Sequence, residues 1–228
     1  MIPALILILI LIAVFAPQFW VQYVLRKYSE DIDAMPGTGG ELARHLTEKF
    51  NLAGVDVEAI EYNNDHYDPE ARKIRLAEDN YHGKSLTAIT IAAHEFGHAL
   101  QHAENYQPLA LRSNLAHFAA VAQKIASVLL VSLPFTVILV RVPLFNLIIL
   151  LSGLTIMLLP VILHLVTLPV ELDASFNRAL PILEKGNYLP PSAMPIARKI
   201  LTAAALTYVA ASLSSLLNFY RWIAILRR

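Results

Sequence analysis

The sequence predicts a mainly α-helical integral membrane protein with about four transmembrane helices, an extramembrane segment built around an HExxH helix, and a small β-hairpin. Three observations carry this. The 228 residues are 56% hydrophobic and only 16% charged, with a mean hydropathy of +0.52, beyond the range of an ordinary soluble domain. Four apolar runs are each long enough to cross a hydrocarbon core of about 30 Å. Between the first and second of them stands His94-Glu95-Phe96-Gly97-His98, inside a helix-compatible apolar stretch.

Residues 1–25 read as a transmembrane anchor, its apolar run extending from Ile2 to about Val24. No basic residues precede the run, and Arg26 and Lys27 follow it. That order favours a retained anchor over a cleaved signal peptide, with the next segment in the cytoplasm. Residues 26–117 form the extramembrane segment. Asp33 to Gly40 is a loop, and Glu41 to Asn51 a short amphipathic helix with Leu42, Leu46 and Phe50 on one stripe. Val55 to Tyr62 and Lys73 to Leu76 read as two strands, joined by the turn formers Asn63 to Pro69 into a β-hairpin. Lys73 to Leu76, if it forms an exposed edge, offers a substrate a strand to pair with. Ser85 caps the motif helix, which runs to about Glu104. Residues 118–169 hold a transmembrane hairpin, from about Ala119 to Val140 and from Pro143 to Pro169. Residues 170–199 are a polar segment ending in the Pro-rich connector Leu189 to Pro195. Residues 200–228 supply the last span, from about Ile200 to Trp222, and a basic tail.

The motif sets the chemistry. Residues i and i+4 of an α-helix share a face, so His94 and His98 can hold one metal ion, with Glu95 beside it as general base for a bound water. This is a zincin-like arrangement, and its usual outcome is peptide-bond cleavage. The chain has no cysteine, so any ligands are nitrogen and oxygen. A catalytic zinc takes three protein ligands. The HExxHxxGxxH pattern does not supply the third, since Glu104 stands where it requires His and Gln101 where it requires Gly. His102 extends the same helix face, but three ligands on one straight helix surround a metal poorly. Glu171 is the stronger candidate. It leaves the third apolar run, and the two spans between it and the motif return the chain to the same side. Asp173 points elsewhere on a helix and suits a supporting position.

The blocks Asp65-His66-Tyr67-Asp68-Pro69, Ile91 to His102 and Leu168-Pro169-Val170-Glu171-Leu172-Asp173-Ala174-Ser175 resemble the YugP-type neutral zinc metallopeptidases of bacterial membranes. The resemblance covers nearly the whole chain. More distantly the chain is similar to the HtpX and CAAX prenyl protease group. The resemblance implies one Zn2+ per chain, with Glu171 as third ligand and Glu95 as catalytic base. One departure concerns the support of the site. The HtpX-like group carries an Asp four residues after its ligand Glu, whereas this chain has Ser175 there, which can accept from an imidazole N–H but brings no charge.

A tetrahedral oxyanion needs a donor besides the metal. Arg178 is one candidate, seven residues and two α-turns beyond Glu171. His66 and Tyr67 are others, if the hairpin folds over the cleft. His164, inside the third span, is expected to be a neutral imidazole hydrogen-bonded to a neighbouring helix rather than a functional group. The partners expected are a peptide or protein substrate, membrane proteins included, and the lipid bilayer. A nucleic-acid surface is excluded, because Arg26 to Lys124 holds 10 Lys and Arg against 15 Asp and Glu, a net −5. The expected location is the bacterial cytoplasmic membrane with the active site on the cytoplasmic side. Arg26, Lys27, Arg178, Lys185, Arg198 and Lys199 share that side, against Arg141, Arg221, Arg227 and Arg228 on the other. The function expected is a zinc-dependent endopeptidase. The alternative is a non-catalytic zinc-binding membrane scaffold, against which the intact Glu95 argues. A transporter is disfavoured by the lack of repeated halves.

Overall fold

The computed structural model describes residues 2–61, 64–140, 142–156 and 158–226. Tyr62 and Asn63 of the expected hairpin, and Arg141, Arg227 and Arg228 of the charge pattern, lie outside them. Long apolar helices gather on one side of a small α+β head. Helix α1 (Ile2–Lys27) enters the head, followed by α2 (Gly39–Lys49), strands β1 (Asp56–Ile60), β2 (His66–Asp68) and β3 (Lys73–Ala77), and the short α3 (Glu78–Tyr81). Helix α4 (Leu86–Ala103) carries the HExxH motif. Helices α5 (Gln107–Leu139), α6 (Pro143–Ile156) and α7 (Leu159–Leu172) leave the head and return to it. A π-helical segment (Asp173–Ala179), α8 (Leu180–Lys185) and a 3-10 turn (Pro191–Ala193) then lead into α9 (Met194–Leu226).

Local chemistry explains where these helices start and stop. Thr38 caps α2 in a capping box with Glu41, and the Ser85 hydroxyl accepts the Ala88 N–H at 3.0 Å. Asn51, Asn105 and Asn187, each just beyond a helix end, adopt positive φ of 52°, 55° and 51°, a left-handed stop that asparagine tolerates. The α2 stripe of Leu42, Ala43 and Leu46 packs with Ile74 and Leu76 of β3 and with Ala92, Phe96 and Ala99 of α4. Val21 and Val24 of α1, Leu180 and Leu183 of α8, and Ile200 and Leu201 of α9 close the same core. Helix α4 is buried along almost its whole length, so the two motif histidines sit on a helix packed on nearly every side.

The expected hairpin between Val55–Tyr62 and Lys73–Leu76 is corrected by the sheet order β1-β3-β2. Strand β1 runs parallel to β3, with Asp56 opposite Lys73 and Ile60 opposite Ala77. The antiparallel pair is β2 with β3, Tyr67 facing Ile74. Strand β2 was hidden because it falls inside the run of turn-forming residues. The actual turn begins at Asp68, whose Oδ1 accepts the N–H groups of Glu70 and Ala71 at 2.9 and 3.0 Å. Asp65 fixes the approach to β2 by accepting from the Ala77 N–H at 2.8 Å and from Asn80 Nδ2 at 2.7 Å. Since β3 is central, strand addition at Lys73–Leu76 is blocked, and β2 forms the outer edge on that side.

Two described helical stretches are long and apolar enough to cross a membrane, 143–185 and 191–215. The helix of the third apolar run extends beyond Pro169. It continues through Leu172 into the π-segment, where the Leu180 N–H reaches back five residues to the Ser175 carbonyl. The connector expected over Leu189 to Pro195 ends earlier, because α9 begins at Met194 and takes Pro195 into its first turn, where a missing N–H costs no helical bond.

Candidate metal centre

Helix α4 and the C-terminal end of α7 bring three donor groups together. Oε2 of Glu171 lies 3.1 Å from Nε2 of His94 and 3.3 Å from Nε2 of His98. All three residues are buried, and one ligand atom from each falls within 4.8 Å of the others. Donors placed tetrahedrally at about 2.0–2.1 Å from a zinc ion stand about 3.3–3.4 Å apart. The two histidine-to-carboxylate edges therefore already have the length a zinc site requires, and two imidazoles with one carboxylate suit that ion.

The hydrogen bonds behind the histidines decide which nitrogen faces inward. Gln101 Nε2 donates to the Val170 carbonyl at 2.9 Å and to Asp173 Oδ2 at 2.8 Å. Both neighbours are acceptors, which fixes the orientation of the amide and leaves Oε1 facing His98 Nδ1 at 2.9 Å. His98 must then carry its proton on Nδ1 and present the Nε2 lone pair to the centre. Ser175 Oγ stands 3.1 Å from His94 Nδ1, where it can accept in the same way. Arg178 Nε donates to Asp173 Oδ2 at 2.7 Å, so a charge-backed chain runs Arg178–Asp173–Gln101–His98. Replacing Gln101 with Leu should leave His98 Nδ1 and Asp173 without this link. Metal affinity is expected to fall about 10–100-fold, the usual loss when such support is removed, as read by competition with a zinc chelator.

Glu95 follows His94 on α4 and is buried, only 6% exposed. Burial pushes its carboxyl up to about 7; the Glu171 and Asp65 carboxylates push the same way, while His94 and Arg112 oppose them. A carboxyl held in that range exchanges protons readily near neutral pH.

The remaining candidates lie elsewhere. Arg178 Nη1 donates to Glu104 Oε2 at 2.6 Å, so its charge is committed to Asp173 and Glu104 rather than to the triad. The count of two α-turns from Glu171 fails there because the π-segment widens the helix. His66 Nδ1 donates to the Asn64 carbonyl at 2.8 Å, and Tyr67 Oη is bonded to His102 Nδ1 at 2.7 Å. Gln101, Arg112 and Tyr208 were not found by sequence reasoning. Arg112 Nη1 lies 3.5 Å from Glu171 Oε1, and its Nη2 donates to the Tyr208 hydroxyl at 3.3 Å. The one available signal was the polar content of the last span, Thr202, Thr207, Tyr208 and Ser212.

Comparison with known proteins shows the family. A relative from Bacillus subtilis (strain 168), named "Putative membrane protease YugP", is 37% identical over 224 residues, covering 96% of this chain and 95% of the relative. No solved structure matches the chain significantly. The family model described as "Putative neutral zinc metallopeptidase" matches residues 3–227, and the chain belongs to that family.

Proposed function

We propose that the protein is a membrane-embedded zinc-dependent endopeptidase, with His94, His98 and Glu171 as the ligands of one Zn2+ per chain and Glu95 as general base. The observation that carries this reading is the buried convergence of two imidazoles and a carboxylate, with the buried Glu95 carboxyl next to His94 on the same helix. Zinc bound there would lower the pKa of a water to about 7 and polarise a carbonyl. Glu95 takes the proton from the attacking water and delivers it to the departing amine. Gln101 and Ser175 hold the imidazoles in the tautomer that binds, and the buried walls of α4 exclude bulk water.

Four spans accommodate α1, the apolar part of α5, the α6–α7 pair and α9. Supporting this, α5 and α6 expose Val128, Val131, Phe135, Leu144 and Leu151, a surface suited to lipid. The head then lies on the side of Arg26 and Lys27, which the positive-inside rule makes cytoplasmic. A peptide or a segment of a membrane protein is the substrate class. The outer edge of β2, beside α4, is where an extended chain would pair. Nucleic acid has no part in this reading.

The test is zinc per chain in detergent-purified protein, for wild type and Glu171→Ala. One zinc in the wild type and affinity reduced by about 10²-fold or more in the variant is expected, as one of three ligands is lost. Full retention in the variant would remove Glu171 from the site. A zinc-loaded wild type that cleaves neither casein nor a peptide library would favour the non-catalytic scaffold.

A further inference from the structure

Only one oxygen of Glu171 faces the histidines. The other, Oε1, is buried and makes no hydrogen bond. Arg112 of α5 stands before it with Nη1 at 3.5 Å. The same guanidinium donates through Nη2 to the hydroxyl of Tyr208 on α9 and lies 5.6 Å from the centre of its ring. Arg178, by contrast, is held by two carboxylates. Among the described residues the single carboxylate contact of Arg112 is this long one to Glu171. Glu95 lies within electrostatic reach of both Arg112 and Tyr208. Helices α5 and α9 thus place a cation and a phenol against the triad's carboxylate on α7, on elements that the HExxH pattern does not include.

The donor arithmetic singles out the phenol. The Tyr208 oxygen accepts from Arg112, so its own O–H is directed to an acceptor on the side of the centre. There the Glu171 carboxylate is its partner until a more strongly charged oxygen arrives. The carboxylates within its reach are those of the centre, Glu171 and Glu95. We propose that Tyr208 donates a hydrogen bond to the carbonyl oxygen of the scissile peptide as that oxygen becomes an oxyanion, and that Arg112 is the positioning residue for the phenol. This rests on the peptidase reading. In the step concerned, the oxygen of water bonds to the carbonyl carbon and the C=O π pair moves onto the carbonyl oxygen. Glu95 takes the proton of the water and passes it to the amide nitrogen as the C–N bond breaks. Tyr208 keeps its proton throughout. Its bond strengthens as charge accumulates on the oxygen, because a charged acceptor binds a donor more tightly than a neutral one. A contact that matters mainly in the transition state acts on kcat and little on KM.

The test uses the full-length, zinc-loaded protein in detergent as wild type, Tyr208→Phe, Arg112→Gln, Arg112→Lys and Glu95→Gln. Zinc content, kcat and KM on a fluorogenic peptide, and affinity for a phosphinic peptide of the same sequence are measured. The phosphinic group mimics the tetrahedral oxyanion. Tyr208→Phe is expected to keep one zinc, lower kcat about 10²–10³-fold and leave KM within about threefold. It should also weaken the phosphinic peptide by about 10-fold or more, while a hydroxamate that only chelates zinc binds as before. Arg112→Gln should share part of the loss, and Arg112→Lys should recover some of it. Turnover by Tyr208→Phe within about threefold of wild type, with Glu95→Gln inactive, overturns the proposal and leaves the peptidase reading standing. Loss of zinc from Tyr208→Phe also overturns it, since the tyrosine then serves structure. A wild type that hydrolyses nothing removes both.

Discussion

Replacing Glu95 with Gln is expected to lower peptide hydrolysis by about 10²–10⁴-fold, the range for a lost general base, while the protein keeps its zinc. The amide has the shape of the carboxyl but cannot take a proton from water. Stability should not suffer. Glu95 is buried, and burial already pushes its carboxyl up to about 7, a sign that the fold tolerates the neutral form at this position. A bound dication would draw the carboxyl back toward its ionised form, which is the form a base requires. Initial rates and zinc content, measured on the same preparation, separate the two effects. Loss of zinc would make Glu95 part of the ligand set, and turnover like that of wild type would show that it accepts no proton.

The second large effect is expected at Gly97, the variable position next to His98 within the motif. A Cβ built there would lie 2.7 Å from the carbonyl oxygen of Ala174 and 3.3 Å from its carbonyl carbon. That oxygen is backbone, in the π-segment that follows Glu171, so no side chain can rotate out of the way. Gly97→Ala must therefore push α4 and the π-segment apart by several tenths of an ångström. The His94, His98 and Glu171 donors come from those two elements, and the displacement falls on the edges of 3.1 and 3.3 Å between them. Overpacking of this kind typically costs about 1–3 kcal/mol of stability. Zinc affinity is expected to fall further than in Gln101→Leu, by at least about 10²-fold, because a donor is moved instead of merely losing support. Thermal unfolding with and without zinc measures both. An unchanged zinc affinity would mean that the close approach of α4 is not what sets the ligand geometry.

Much of the centre could be read from the sequence because its first half is local. The i, i+4 spacing of His94 and His98 and the Ser85 cap depend only on helix geometry, and α4 spans Leu86–Ala103 as that reading requires. Glu171 was reachable by another route, since counting apolar runs says which side of a membrane a residue occupies. The strands were harder. Strand β2 is three residues of His, Tyr and Asp, and it exists because β3 offers it a partner. Its composition alone reads as turn.

The sequence by itself determined the helical, apolar character of the chain, the two histidines and Glu95 on one helix, and the carboxylate able to join them. The helical features follow from periodicity and hydropathy, which act over a few residues, and the carboxylate from the count of apolar runs together with the family resemblance. Tertiary structure alone decided the parallel pairing of β1 with β3 and the π-turn that commits Arg178 to Asp173 and Glu104. It also decided the use of Gln101 to orient His98 and the meeting of Arg112 with Glu171 and Tyr208. Each of these depends on groups from different elements arriving within hydrogen-bond or ion-pair distance. That distance is set by how the helices pack around Gly97 and the buried face of α4, and no local pattern encodes it.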